Sequence, residues 1–303
     1  MKTIFSFVAA LIICLQGICQ IINDLRKLFE YDKGEDIGLQ QRSKKDTAQA
    51  TIYEIAFSTI NGQRVTASLI IPKLNLREFP SVIFLNDASQ HKESFLSQAL
   101  DLANNAFASL IIEALPQRPD IYRMTFHNYT EPRKDFNAYR QAVIDIRRAI
   151  DFLEQHPKID HNRIAFIGNG DGAMTGAIVS GIETRILTYV LVSCTPCYSC
   201  ILKTSNDPVI TKARNSLTTE QIDQYGLIIK PLNPINYLPY HFNKPILFQY
   251  AKNDPNFDES SSTVIMQSTK EPRSQKLYNT TSQYLIELPE YLADQKKWLK
   301  DHL

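Results

Sequence analysis

The 303-residue sequence predicts an α/β fold built on a doubly wound, mostly parallel sheet, and three observations carry that expectation. Short, mostly apolar runs recur at residues 82–85, 109–112, 164–167, 189–192 and 246–250, as expected of parallel strands buried on both faces. Helical patterns fall between them, and strands alternating with helices imply right-handed crossovers that put helices on both faces of one sheet. Ahead of these runs, residues 51–59 and 64–71 flank Asn61-Gly62, a strong signal for an antiparallel hairpin.

Taken in order, the chain opens on a targeting pattern. Lys2 is a minimal positive region, residues 4–15 are apolar, and Gly17 and Cys19 hold the small −3 and −1 positions before Gln20. The apolar run is about half the ~20 residues that a membrane span needs. Cleavage after Cys19 and export to the periplasm or medium is the expectation; Gln16-Gly17-Ile18 is a poor context for a lipid anchor on Cys19. The expected organisation is a signal peptide at 1–19, a polar, mostly irregular extension at 20–50 with a short helix near 23–29, and one domain at 51–303. Helices are expected at 92–105, 136–155, 171–180, 260–269 and 289–302. In the second of these, Tyr139, Val143, Ile146, Ile150 and Leu153 share one face. Two long connections, 114–133 and 194–242, leave the carboxyl ends of strands, where open α/β sheets form their ligand crevice.

Composition narrows the function classes. Lys+Arg (33) nearly balances Asp+Glu (32), which argues against nucleic acid or an acidic membrane surface as partner. Beyond the leader, Cys194, Cys197 and Cys200 allow one disulfide and one leftover thiol. The C-x-x-C-x-x-C run also resembles part of a metal site, but zinc wants four ligands and no histidine lies nearby in sequence. The expectation is no metal and no cofactor.

The most informative segment is 163–173, a buried strand running through Gly168-Asn169-Gly170-Asp171-Gly172 into a helix. In a strand–G-x-S-x-G–helix elbow the middle residue is the nucleophile. Gly168 and Gly172 hold the outer places here, and Gly170 holds the middle one. Glycine tolerates the strained backbone of such a turn but supplies no attacking atom.

With these residues on the page, the chain resembles secreted α/β-hydrolases of the dienelactone hydrolase and acetyl-xylan-esterase-like group. The likeness is carried by Leu28-Phe29-Glu30-Tyr31-Asp32, the Asn61-Gly62 hairpin ending in Ile71-Pro72, and Pro80-Ser81-Val82-Ile83-Phe84-Leu85. It continues through Asp145-Ile146-Arg147-Arg148-Ala149-Ile150-Asp151, Ile159-Asp160-His161-Asn162-Arg163-Ile164 and Trp298-Leu299. It covers most of 28–303 and implies an α/β-hydrolase fold from a bacterial source.

The resemblance places the triad acid at Asp254, the nucleophile at Gly170 and the base at Ser282, so two of the three positions are degenerate. It puts the oxyanion loop at Asn86-Asp87, and a backbone oxyanion donor at Asp171. Asp171 as an aspartate nucleophile fits less well, since that register needs glycines at 169 and 173. His91 or His127 could serve as a replacement base, with Ser89, Ser193 or Cys194 as nucleophile, while His156, His161 and His241 read as surface or turn residues. Two functions follow. One is a non-catalytic relative keeping a crevice for a small-molecule, carbohydrate or ester ligand, or for a protein partner. The other is an active ester hydrolase with a relocated nucleophile.

Overall fold

The computed structural model describes residues 20, 22–119, 121, 123–256 and 259–303. The leader expected at 1–19 lies outside the described residues. Among the described residues, nine strands form one sheet in the order β1-β2-β3-β5-β4-β6-β7-β8-β9. They are β1 (Gln40–Asp46), β2 (Ala50–Ser58), β3 (Arg64–Pro72), β4 (Phe79–Leu85), β5 (Ala108–Ile112), β6 (Ile159–Asn169), β7 (Ile186–Val192), β8 (Ile246–Ala251) and β9 (Arg273–Tyr278). The pairs β1–β2, β2–β3 and β3–β5 are antiparallel, and every other pair is parallel.

Because side chains alternate across a strand, each apolar run feeds two cores. Ile83, Leu85, Leu110, Ile112, Phe166 and Leu191 face one side, where α2 (Pro132–Gln155), α3 (Asp171–Ser180) and α6 (Thr219–Ile229) pack. Val82, Phe84, Ile111, Ile167 and Val190 face the other, under α1 (Leu96–Asn104) and α8 (Pro289–His302). The second long connection carries α4 (Tyr198–Thr204) and α5 (Pro208–Asn215) ahead of α6, and α7 (Glu259–Ser268) follows β8. Sequence periodicity places the strands within a few residues. The hairpin forms as expected, with Ser58 paired to Arg64 and positive φ at Asn61 (57°) and Gly62 (69°).

Three expectations need correction. The segment 20–50 is not mostly irregular: β1 adds an edge strand, and Ile22, Phe29 and Ile37 sit in the core. Every residue of β1 is exposed, so it has no apolar alternation to read, and its Lys44-Lys45 is typical of a protected edge. The connection at 194–242 is largely helical; α6 even carries a Thr218/Gln221 capping box. His241, read as a surface or turn residue, does sit in a turn but not at the surface: it is 1% exposed and its Nδ1 faces the Lys244 carbonyl at 2.8 Å.

Candidate functional site

The site is assembled where β4, β6, β7 and β8 end and their following loops converge. The strand β6 stops at Asn169, and the chain turns through Gly170 at φ 54°, ψ −118° before α3 begins. The Gly170 amide donates to the Val192 carbonyl at 3.0 Å, and its carbonyl accepts from Met174 at 3.0 Å. A Cβ on Gly172 would overlap the Leu85 carbonyl, so that glycine lets α3 seat directly on the end of β4. The strained corner of an elbow is therefore present in full.

What stands at the corner is a carboxylate from the neighbouring loop. A Cβ built on Gly170 would overlap Asp87 Oδ2, with Asp87 Cγ 3.0 Å and Cβ 3.1 Å away. The same Oδ2 accepts the Asp171 backbone N–H at 3.4 Å, while Oδ1 accepts from the Ser89 amide at 2.9 Å and the Ser89 hydroxyl at 2.6 Å. Burial, followed by repulsion from Asp171, raises the Asp87 pKa. Asn86 holds the loop from below. Its Oδ1 accepts the Asp87 amide at 3.0 Å and the Asn169 side chain at 3.4 Å, and its Nδ2 donates to Ser94 Oγ.

Asp171 is 5% exposed, and its Oδ2 accepts the Ala88 amide at 3.3 Å. It also meets His127 Nε2 at 3.4 Å. His127 enters from the first long connection at φ 63°, with Nδ1 3.2 Å from the Tyr129 hydroxyl. Burial disfavours its imidazolium, but Asp171 in contact, helped by Asp135 and Asp87, outweighs burial and lifts the pKa to about 9. At neutral pH this ring is a cation held between aspartates, not a free base. The space beside the corner is nearly full. A cavity of about 10 Å³, lined among others by Asn86, Phe126, Asp145, Asp171 and Thr175, has room for about one water. A more open hollow of about 540 Å³ lies along α8 against Asp101, away from the elbow residues.

Asp254 is 7% exposed in the loop after β8. Its Oδ2 accepts from Ser193 Oγ at 2.8 Å and its Oδ1 from the Asn256 amide at 2.9 Å. Ser193, at the end of β7, has φ 55°. Ser282 opens the exposed 3₁₀ turn Ser282–Glu287 and makes no hydrogen bond with Asp254 among the described residues. The two loops do meet through their backbones, Asn253 N–H donating to the Thr280 carbonyl at 3.1 Å.

The structure thus brings Asp87, Gly170, Asp171 and His127 together and gives Asp254 to Ser193. Ser89 joins this group through its bonds to Asp87, and the remaining candidates do not reach the corner. The Cys194 thiol is fully buried against the Ala173 carbonyl at 3.9 Å, and burial pushes its pKa far up, which disfavours the thiolate a nucleophile needs. Cys197 and Cys200 form the disulfide and leave Cys194 free. His91 turns away to Glu113, with Nδ1 3.9 Å from Oε1 and 68% of its side chain exposed.

Two partnerships were not legible in the sequence. One is the Ser193–Asp254 bond, which no spacing announces. The other is the ion pair of Arg118 with Asp145 at 2.8 Å, both side chains 1% exposed, which ties the first connection to α2. Arg118 sits in a stretch rich in Pro, Arg and aromatics, where a single buried arginine looks like any other.

Comparison with known proteins gives the relationship. The family described as Acetyl xylan esterase (AXE1) matches residues 25–200, and BAAT / Acyl-CoA thioester hydrolase C terminal matches residues 146–276. No curated protein sequence matches the chain. Among solved structures, an acetyl xylan esterase from a Paenibacillus species superposes with a TM-score of 0.74 at 17% identity, covering 93% of each chain. Acetyl Xylan Esterase 1 from a Thermoanaerobacterium species gives 0.73 at 14% identity, over 93% of this chain and 92% of that one. An α/β hydrolase from a Penicillium species gives 0.63 at 13% identity, over 82% of this chain and 98% of that one. These likenesses show a common fold. With the family match spanning more than half the sequence and the elbow in its place between β6 and α3, the chain belongs to the acetyl xylan esterase family and has the α/β-hydrolase fold.

Proposed function

We propose that this chain is an exported, non-catalytic member of its family, a binding protein that retains the hydrolase scaffold without its covalent chemistry. The observation that carries the reading is the Asp87 carboxylate at the Gly170 corner. Acyl transfer needs an attacking atom there and free donors for the oxyanion. Gly170 supplies no atom, and the Asp171 N–H is already given to Asp87. A developing oxyanion would meet a fixed negative charge instead of an empty site. Ser282 in the base position and a His127 held as a cation by Asp171 support the same reading. Losing one triad member typically costs about four to six orders of magnitude in rate, and here two positions are changed. A ligand, whether a small ester, a carbohydrate or a protein partner, would be held by the connections at 114–133 and 194–242, since the space beside the corner has room for about one water. Export rests on the leader at 1–19, with Gln20 as the expected mature N-terminus.

Purified mature chain is expected to turn over p-nitrophenyl acetate and acetylated xylan no faster than a heat-treated control. Turnover well above that control would remove the proposal. The Ser193–Asp254 bond favours a second reading, a relocated serine nucleophile. Ser193 bonds Asp254 directly, so this pair lacks the imidazole that a triad places between serine and carboxylate. Any ester turnover found should then vanish in Ser193→Ala.

A further inference from the structure

A second cluster of chemically capable side chains lies on the same loop as Asn86 and Asp87 but faces away from the elbow. His91, Glu93 and Glu113 each offer a ligand atom, and these atoms all lie within 4.8 Å of one another. His91 and Glu93 flank the start of the 3₁₀ turn Lys92–Phe95, and Glu113 follows β5, so two adjacent strand ends supply the three groups. The central member is the informative one. Glu113 is 7% exposed, and the one hydrogen bond to its side chain among the described residues comes from the Lys92 amide to Oε1 at 3.2 Å. Burying a carboxylate without a cation is costly. The Lys92 ammonium acts on Glu113 only through space and makes no ion pair with it among the described residues. It is taken by Glu54 Oε2 at 2.6 Å and Ser68 Oγ at 2.7 Å, with Glu93 Oε1 3.6 Å away. Among the described residues Glu113 also faces the His91 imidazole, Nδ1 at 3.9 Å, and the like-charged Glu93.

We infer that His91, Glu93 and Glu113 form a site for a divalent transition-metal ion, with zinc the best match to one imidazole and two carboxylates. Imidazole suits zinc and its neighbours better than magnesium or calcium, and three protein ligands leave a fourth position open to water or to a ligand's oxygen. Zinc holds nitrogen and oxygen ligands at roughly 2.0–2.2 Å, which sets ligand atoms roughly 3–3.5 Å apart. Closing from the present spacing asks for about 1 Å of movement. The exposed side chains of His91 and Glu93 can supply it while Glu113 stays fixed. Lys92 stays on Glu54, and its charge near Glu93 limits the affinity. A bound ion would pin the loop after β4 that carries Asp87. The inference stands apart from the proposed function, because it uses none of the elbow residues.

Isothermal titration of the chelator-stripped, disulfide-intact full chain with zinc chloride tests it. The expected result is one zinc per chain, with affinity falling about tenfold or more in both His91→Ala and Glu113→Gln and unchanged in His161→Ala, an exposed histidine elsewhere. Since His91 is mostly exposed, its removal leaves the fold intact and isolates the ligand's contribution. No heat of binding, or binding that survives His91→Ala, overturns the site.

Discussion

Gly170 leaves room for one side chain at the corner, and Asp87 takes it. The exchange moves a negative oxygen into the cleft from the next strand end, and the local charges reorganise around it. His127 is the compensating cation. Its folded pKa of about 9 lies above the ordinary 6.5, so its stabilisation is complete below pH 6.5 and is lost as pH rises through about 9. Chemical denaturation should find the chain more stable than His127→Gln by about 1 kcal/mol near pH 6, allowing for the third of the ring that water screens. The difference should disappear above about pH 9; a constant gap across that range would show that His127 is not held as a cation. At this scale the sequence was half legible. The side-chain-free corner could be read from Gly168-Asn169-Gly170-Asp171-Gly172, because an elbow is local in sequence. The atom that fills it could not, because Asp87 and Gly170 meet only after β4 and β6 pair.

The elements divide in the same way. Strands whose residues are buried on both faces announced themselves, as did α2 with its apolar face, since burial imposes a pattern on composition. The strand β1 gave no signal because both of its faces meet water, and α4 to α6 gave little because their exposed sides break the apolar rhythm. The first long connection is anchored by Arg118, whose Nε donates to the Glu113 carbonyl at 3.1 Å and whose NH1 pairs with Asp145 on α2 at 2.8 Å. Replacing one member of such a pair strands the other in the interior. Arg118→Met should lower the unfolding free energy by about 3–5 kcal/mol in urea titrations, leaving the Asp145 side chain, among the described residues, with the Gln141 amide at 2.7 Å. Adding Asp145→Leu should recover much of that loss. If the single change costs under about 1 kcal/mol, the pair is not the anchor.

Across the whole molecule, the parallel half of the sheet makes the site. The loops after β4, β6, β7 and β8 deliver Asp87, Gly170, Ser193 and Asp254 to one edge, although these residues are spread over more than half the chain. That convergence follows from the strand order, and the alternation of strands and helices foretold it. What the order does not determine is which side chains fill the cleft once it forms. In this chain the filling is the Asp87 carboxylate and the cationic His127 with Tyr129 against it, and the cavity beside them has room for about one water. Among the described residues, no helix is long and apolar enough to cross a membrane. The scaffold is that of the acetyl xylan esterase family, and its corner, at Gly170, carries no side-chain oxygen of its own. Incubating the native chain with a fluorophosphonate probe and mapping adducts by mass spectrometry tests directly whether any serine acts as a nucleophile. The account predicts no labelled serine under conditions that label an active serine esterase fully, and stoichiometric labelling at one serine would contradict it.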